Sequence, residues 1–143
     1  VRRQRGFKQL DIEQTAINAD QVLSQYQHHK AMAKRWDLSL QSPKMDGMPK
    51  SPSYGNTAEN SITSHLDDKL FSLQCERIIR EGMTDERLAK ILEYTYLKPL
   101  NSDYAVMMKV GYEKTQFYEQ RKIALCAFAE LWPPFPSELV VYQ

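Results

Sequence analysis

The stretch from Asn101 to Phe128 carries residue types that can read a nucleic acid. Val106, Met107 and Val110 recur at helical spacing, Gly111 follows, and a longer amphipathic run starts near Lys114. A short helix, a tight turn and a longer helix make the helix-turn-helix layout. Its turn needs a residue that accepts positive φ, and Gly111 supplies one. In this reading Tyr112 and Phe117 point inward, and Ala124, Leu125 and Phe128 continue the packed face. Lys114, Thr115, Gln116, Glu119, Gln120 and Lys122 are left on or near the outer face. Polar side chains at the leading end of a helix can meet the donors and acceptors of base edges in a major groove. Gln116 suits adenine, Lys114 suits guanine or phosphate, and Arg121 and Lys122 suit backbone phosphates. The same spacing also describes a plain helical hairpin, because a Gly between two amphipathic helices is common in bundles.

Other reactive residues lack the spacing their chemistry needs. His28-His29, His65, Cys75 and Cys126 are not arranged as metal ligands, since adjacent side chains on a helix point about 100° apart. Asp67-Asp68 and Asp85-Glu86 read as helix-terminal or solvated acids, with no base or nucleophile beside them. There is no Gly-rich phosphate loop. Met45, Met48, Met107 and Met108 read as packing, and Trp36 and Trp132 as seals at helix ends. The chain is thus read as a non-enzyme with no cofactor and no metal.

The elements that must hold the pair follow from periodicity. A helix from Asp85 to Leu97, opened by Thr84-Asp85-Glu86, supplies Leu88, Ile91 and Leu92 as a third wall. Asn101 or Ser102 caps the short helix from Asp103 to Val110, and the longer helix runs to Leu131 before Pro133-Pro134. Upstream, Ile62, Leu66, Leu70, Leu73 and Arg77/Ile78 form a stripe on a helix from Glu59 to about Glu81, which Gly82 stops. Residues 39–58 are dense in turn signals: Ser42-Pro43, Asp46-Gly47, Pro49, Ser51-Pro52 and Gly55-Asn56. From Leu10, the residues Ile12, Ala16, Ala19, Leu23, Tyr26, Lys30 and Ala33 predict one helix of roughly 25 residues, ending near Trp36 to Leu38. That helix is expected to pack on a partner helix, in this chain or in a second copy. The apolar tail Glu138–Tyr142 is the one strand candidate. The expected fold is all-α in three parts: a basic arm and long N-terminal helix over 1–38, a Ser/Pro-rich linker over 39–58, and a C-terminal helical bundle over 59–143. The helix-turn-helix occupies about 102–130 of the bundle.

The chain has 143 residues, 26% charged and 42% hydrophobic, with five glycines, values of an ordinary helical domain and not of a disordered chain. No apolar run reaches the roughly 18 residues of a membrane span. Val1–Gly6 is basic without an apolar signal core, so a cytoplasmic protein with reduced cysteines is expected. The net charge of +1 hides an asymmetry. Residues 1–36 hold seven basic groups against three acidic, a net of +4, while residues 101–143 sum to −1. The arm with Arg2, Arg3, Arg5 and Lys8 can lie along phosphates or remain a solvated tail. The nearly neutral C-terminal part must borrow DNA affinity from a second copy, the arm or a protein partner.

The run Tyr96–Tyr112 and its continuation through Leu125 resembles the region-four helix-turn-helix of bacterial sigma factors. Nearly all of residues 10–142 resembles the ArpU family of phage transcriptional regulators. The matching features are Met48–Asn56, Ser102-Asp103-Tyr104-Ala105, Gly111-Tyr112, Thr115-Gln116-Phe117-Tyr118 and Ala127-Phe128-Ala129-Glu130. The resemblance implies a regulator of phage or prophage late genes in Gram-positive hosts, for packaging, morphogenesis or lysis, and links such proteins to export of a cell-wall hydrolase. Two departures stand out: Met107 occupies a slot where Ala is usual, and the recognition helix is poorer in Arg and Lys than in sigma factors. The candidate DNA-contacting set is Lys114, Thr115, Gln116, Tyr118, Glu119, Arg121 and Lys122. The expected partners are double-stranded DNA at a phage promoter, RNA polymerase and a second copy, with no membrane. The alternatives are a sigma-like polymerase-binding factor and a small-terminase-like packaging protein.

Overall fold

Asp11 opens the first helix by accepting the Gln14 N–H at 3.1 Å on its side chain. The computed structural model describes residues 9–40 and 55–143, with side chains placed for 9–38 and 63–143. The arm residues Arg2, Arg3, Arg5 and Lys8, together with Met45 and the Met48–Tyr54 part of the Ser/Pro box, lie outside the described residues. Among the described residues the chain forms six α-helices. They are α1 (Ile12–Leu23), α2 (Tyr26–Leu40), α3 (Gly55–Arg77), α4 (Glu86–Leu92), α5 (Asp103–Val110) and α6 (Lys114–Leu131). The all-α expectation holds. No helix among the described residues is long and apolar enough to cross a membrane.

The single long N-terminal helix predicted from periodicity is two helices. The Gln25 side-chain amide donates to the Gln21 carbonyl at 3.2 Å, the acceptor its own backbone N–H would use in an unbroken helix. That N–H instead reaches Val22 O at 3.1 Å, and the ladder tightens at Ser24-Gln25. The small-residue stripe survives the break, with Ala16, Ala19, Leu23, Tyr26 and Ala33 all buried. Two further helices end in π-helical turns, Ile78–Gly82 after α3 and Glu93–Leu97 after α4. Each closes with a five-residue bond, Met83 N to Ile78 O at 2.9 Å and Lys98 N to Glu93 O at 2.7 Å.

Helix α1 lies along α6, and α2 pairs with α3. Phe117, Phe128, Ile91, Leu92, Leu23 and Ile79 form the centre of one continuous core. Trp132 is half-buried and seals it, with ring centres 5.4 Å from both Phe71 and Phe128. The tail expected as a strand makes a single antiparallel bridge, Leu10 to Tyr142. Thr15, fully buried, both donates to Val141 O at 3.3 Å and accepts from Val141 N at 3.0 Å. Asn18 adds a bond to Leu139 O at 3.0 Å, so the C-terminus straps α1 onto α6.

The leucine stripe of α3 is not the face that packs on α2. Leu66, Leu70 and Leu73 are 50%, 63% and 43% exposed. The α2–α3 seam is instead small and polar. Ser72 and Cys75 are buried there, His29 Nδ1 lies 2.7 Å from Asp68, and Glu76 accepts from Lys30 at 2.7 Å and from Tyr26. Burial alone raises Glu76, but the bonds from Lys30 and Tyr26 and the charges of Lys30 and Arg80 outweigh it, so its carboxyl sits below the usual range. Helix α2 offers Ala33, His29 and Lys30 to its neighbour, and α3 answers with the matching polar face.

Candidate nucleic-acid interface

Ser102 caps α5 through its side chain, which accepts the Ala105 N–H at 3.2 Å. Val106 and Val110 are buried, while Met107 is half-buried and so partly turned aside from the close contact an Ala would make. At the other end Gly111 adopts φ 83°, the left-handed conformation in which a Cβ is strained. Met107 O accepts both the Gly111 N–H at 2.8 Å and the Tyr112 N–H at 3.2 Å, which closes the helix in a C-capping bend.

Arg87, on the first turn of α4, holds that bend. Its Nε donates to Val110 O and its Nη2 to Gly111 O, both at 2.9 Å. The guanidinium also stacks on Tyr112, 3.8 Å from the ring centre. Asp85 fixes the start of α4 by accepting from the N–H groups of Arg87 and Leu88. Sequence periodicity misses the clamp, because a contact across 23 residues leaves no local pattern. The only available signal is an arginine on the outer face of a helix that must approach the turn.

Helix α6 leaves the bend with Phe117 fully buried and Ala124, Leu125 and Phe128 packed below it. Lys114, Thr115, Gln116 and Glu119 are all exposed on its first turn and a half. Tyr118, Arg121 and Lys122 are placed differently. Tyr118 is half-buried and donates to Asp103 Oδ2 at 3.0 Å, a bond that raises its hydroxyl pKa. Arg121 pairs with the other oxygen of Asp103 at 3.2 Å and covers the Phe117 and Tyr118 rings. Lys122 reaches Glu13 of α1 at 2.6 Å. Asp103 at the start of α5 thus ties the two helices together, a coupling the spacing of 15 and 18 residues does not announce. Tyr104 and Met108, one turn apart on α5, are 67% and 65% exposed, so Met108, expected as packing, instead lies on the outer face of a short helix whose inner positions are Val106 and Val110.

Several of the residues considered for other chemistry are taken up in packing. Cys75 and Cys126 are free and buried, and burial pushes their thiols up to about 12 and about 11. His29 pairs with Asp68, and His65 stacks on Trp36. No group of three or more potential metal ligands occurs among the described residues.

No family model matches the chain, and no solved structure matches it. A protein of Enterococcus hirae named "Putative autolysin regulatory protein ArpU" is 31% identical over 130 residues. The alignment covers 88% of this chain and 91% of that protein. Identity at this level over nearly the full length of both proteins places the chain in the ArpU family.

Proposed function

We propose that the chain is a sequence-specific DNA-binding transcriptional regulator whose helix α6 enters the major groove by its leading end. One observation carries the reading. Lys114, Thr115, Gln116 and Glu119 share an exposed surface at the start of a helix held by a glycine bend. Donors and acceptors on such a surface can be set against base edges without moving the core. Tyr118, Arg121 and Lys122 flank it and are the phosphate-side part of the proposed interface. Membership of the ArpU family supports a regulatory role, and the relative's name points to autolysin as the regulated activity. By family resemblance, the target genes are phage or prophage late genes.

Charge adds a second element. Arg121 and Lys122 are both engaged by carboxylates, and residues 101–143 sum to −1. That balance favours a helper for tight binding, either RNA polymerase or a second copy.

The test is selection of bound sequences from a random duplex pool, followed by footprinting on the selected site with and without RNA polymerase. Wild-type protein should recover a defined site. Lys114→Ala with Gln116→Ala should lose that preference while keeping its helical circular dichroism. An unchanged preference in the double variant would sink the assignment of α6.

A further inference from the structure

We infer that the outward face of α3 is a self-association seam that takes the same face of a second copy in an antiparallel, two-fold arrangement. Leu66, Leu70 and Leu73 stand at i, i+4 and i+7 of this helix, all substantially exposed, with Leu66 and Leu70 on the far side from buried Cys75 and Leu73 at the edge of the groove that Ser72 also lines. Scattered exposed leucines are ordinary, but three on one stripe at heptad-like spacing are what one helix presents to another. Among the described residues, α2 meets α3 on its polar face, and of the three leucines Leu73 borders the groove between the two helices.

The charges select the occupant and its direction. Asp67 lies toward the N-terminal end of the stripe and Arg77 toward its C-terminal end, ten residues apart on the same helix. Crossing two copies antiparallel at the level of Ser72 sets Asp67 of each opposite the partner's Arg77. Leu70 then lies against the partner's Leu73. A parallel pairing would instead set Asp67 against the partner's Asp67 and Arg77 against the partner's Arg77. The face is therefore complementary to itself only in the antiparallel sense, as a two-fold interface requires. Among the described residues Arg77 makes an exposed contact to Glu81 at 3.5 Å, which it can exchange readily.

The inference does not depend on DNA binding, so its test uses the full chain alone. Sedimentation velocity from about 1 to 100 μM should show a reversible monomer–dimer equilibrium. Leu70→Glu should raise the dimer dissociation constant at least ~100-fold with unchanged circular dichroism, since the side chain is exposed in the monomer. Asp67→Arg or Arg77→Asp alone should weaken the dimer roughly tenfold, through two equivalent contacts. The double variant should return to within a few-fold of wild type. A monomer at every concentration, a dimer indifferent to Leu70→Glu, or a ring of many copies would overturn the seam. A double variant as weak as its parents would overturn the antiparallel register. A wild-type chain that stays monomeric yet binds DNA sequence-selectively would refute this seam and leave the regulator reading standing.

Discussion

Replacing Arg87 by alanine tests the idea that one side chain outside the helix pair sets the angle between its helices. The perturbation removes two hydrogen bonds of 2.9 Å, to Val110 O and Gly111 O, and the stacking on Tyr112 at 3.8 Å. Each charge-assisted bond to a carbonyl contributes about 1 kcal/mol at a site this exposed, and cation–π stacking adds about 0.5–1 kcal/mol. The expected loss is about 2.5–3 kcal/mol in total, with a fall in Tm of roughly 5–12 °C for a chain of this size. Urea unfolding followed by circular dichroism measures the first quantity and a thermal scan the second. Arg87→Lys keeps the charge but can make one bond and cannot stack as a plane, so it should fall between wild type and Arg87→Ala. DNA affinity should drop in the same order, although Arg87 lies on α4 and not on the reading helix. Stability within about 0.5 kcal/mol of wild type, together with unchanged DNA affinity, would refute the clamp.

Gly111→Ala should destabilise the chain by about 1–2 kcal/mol through left-handed strain, with its new Cβ 3.3 Å from Arg87 Nη2. Gly111→Asn should cost less, because Asn tolerates this conformation, and urea midpoints separate the two. Glu13→Gln should leave stability within about 0.5 kcal/mol, since its pair with Lys122 is exposed. It should tighten DNA binding several-fold at low salt, read by fluorescence anisotropy, by releasing Lys122 and removing a negative charge beside α6. The buried thiols predict a loss of stability at alkaline pH. Their folded pKa values of about 12 and about 11 exceed the unfolded value, so their contribution is intact below pH ~8.5 and declines as pH rises toward those values. Each thiol should cost about 1 kcal/mol by pH ~9.5, and Cys75→Ala or Cys126→Ala should flatten the urea profile between pH ~8 and ~9.5.

What was legible in the sequence is what acts over a few residues. Asp11, Asp85 and Ser102 cap helices because a short side-chain oxygen reaches an N–H two or three residues ahead. Gly111 marks the bend because few other residues accept its φ, and Phe117 is buried where the period places it. Long-range partners were not legible. Nothing near Arg87 signals Val110, and nothing near Asp103 signals both Tyr118 and Arg121. At the break at Ser24-Gln25 a glutamine side chain takes the carbonyl that its own backbone would use in an unbroken helix, an arrangement that hydrophobic periodicity does not register. The α3 stripe shows a different limit. Periodicity identifies an apolar face but cannot say what covers it, and here α2 covers the opposite, polar one.

If α6 enters a duplex as proposed, the helix pair must both hold itself together and hold the DNA. Arg121 is both a candidate phosphate contact and half of the pair that fastens α6 to Asp103 at the start of α5. Lys122 is likewise shared between the groove side and Glu13 of α1. Both pairs are at least partly exposed, so each contributes little to the free protein and can be exchanged at small cost. An approaching phosphate competes with a carboxylate for the same cation, and the net gain is only the difference between the two. For the proposed DNA complex this predicts a modest affinity per recognition helix and a counterion contribution below what the number of cations suggests. A two-fold dimer through α3 would compensate, because the second helix binds at the effective concentration its tether sets, not at that of free protein. On the proposed reading, the apolar seam and the poorly charged helix α6 belong together, with selectivity coming from the pairing of two weak readers.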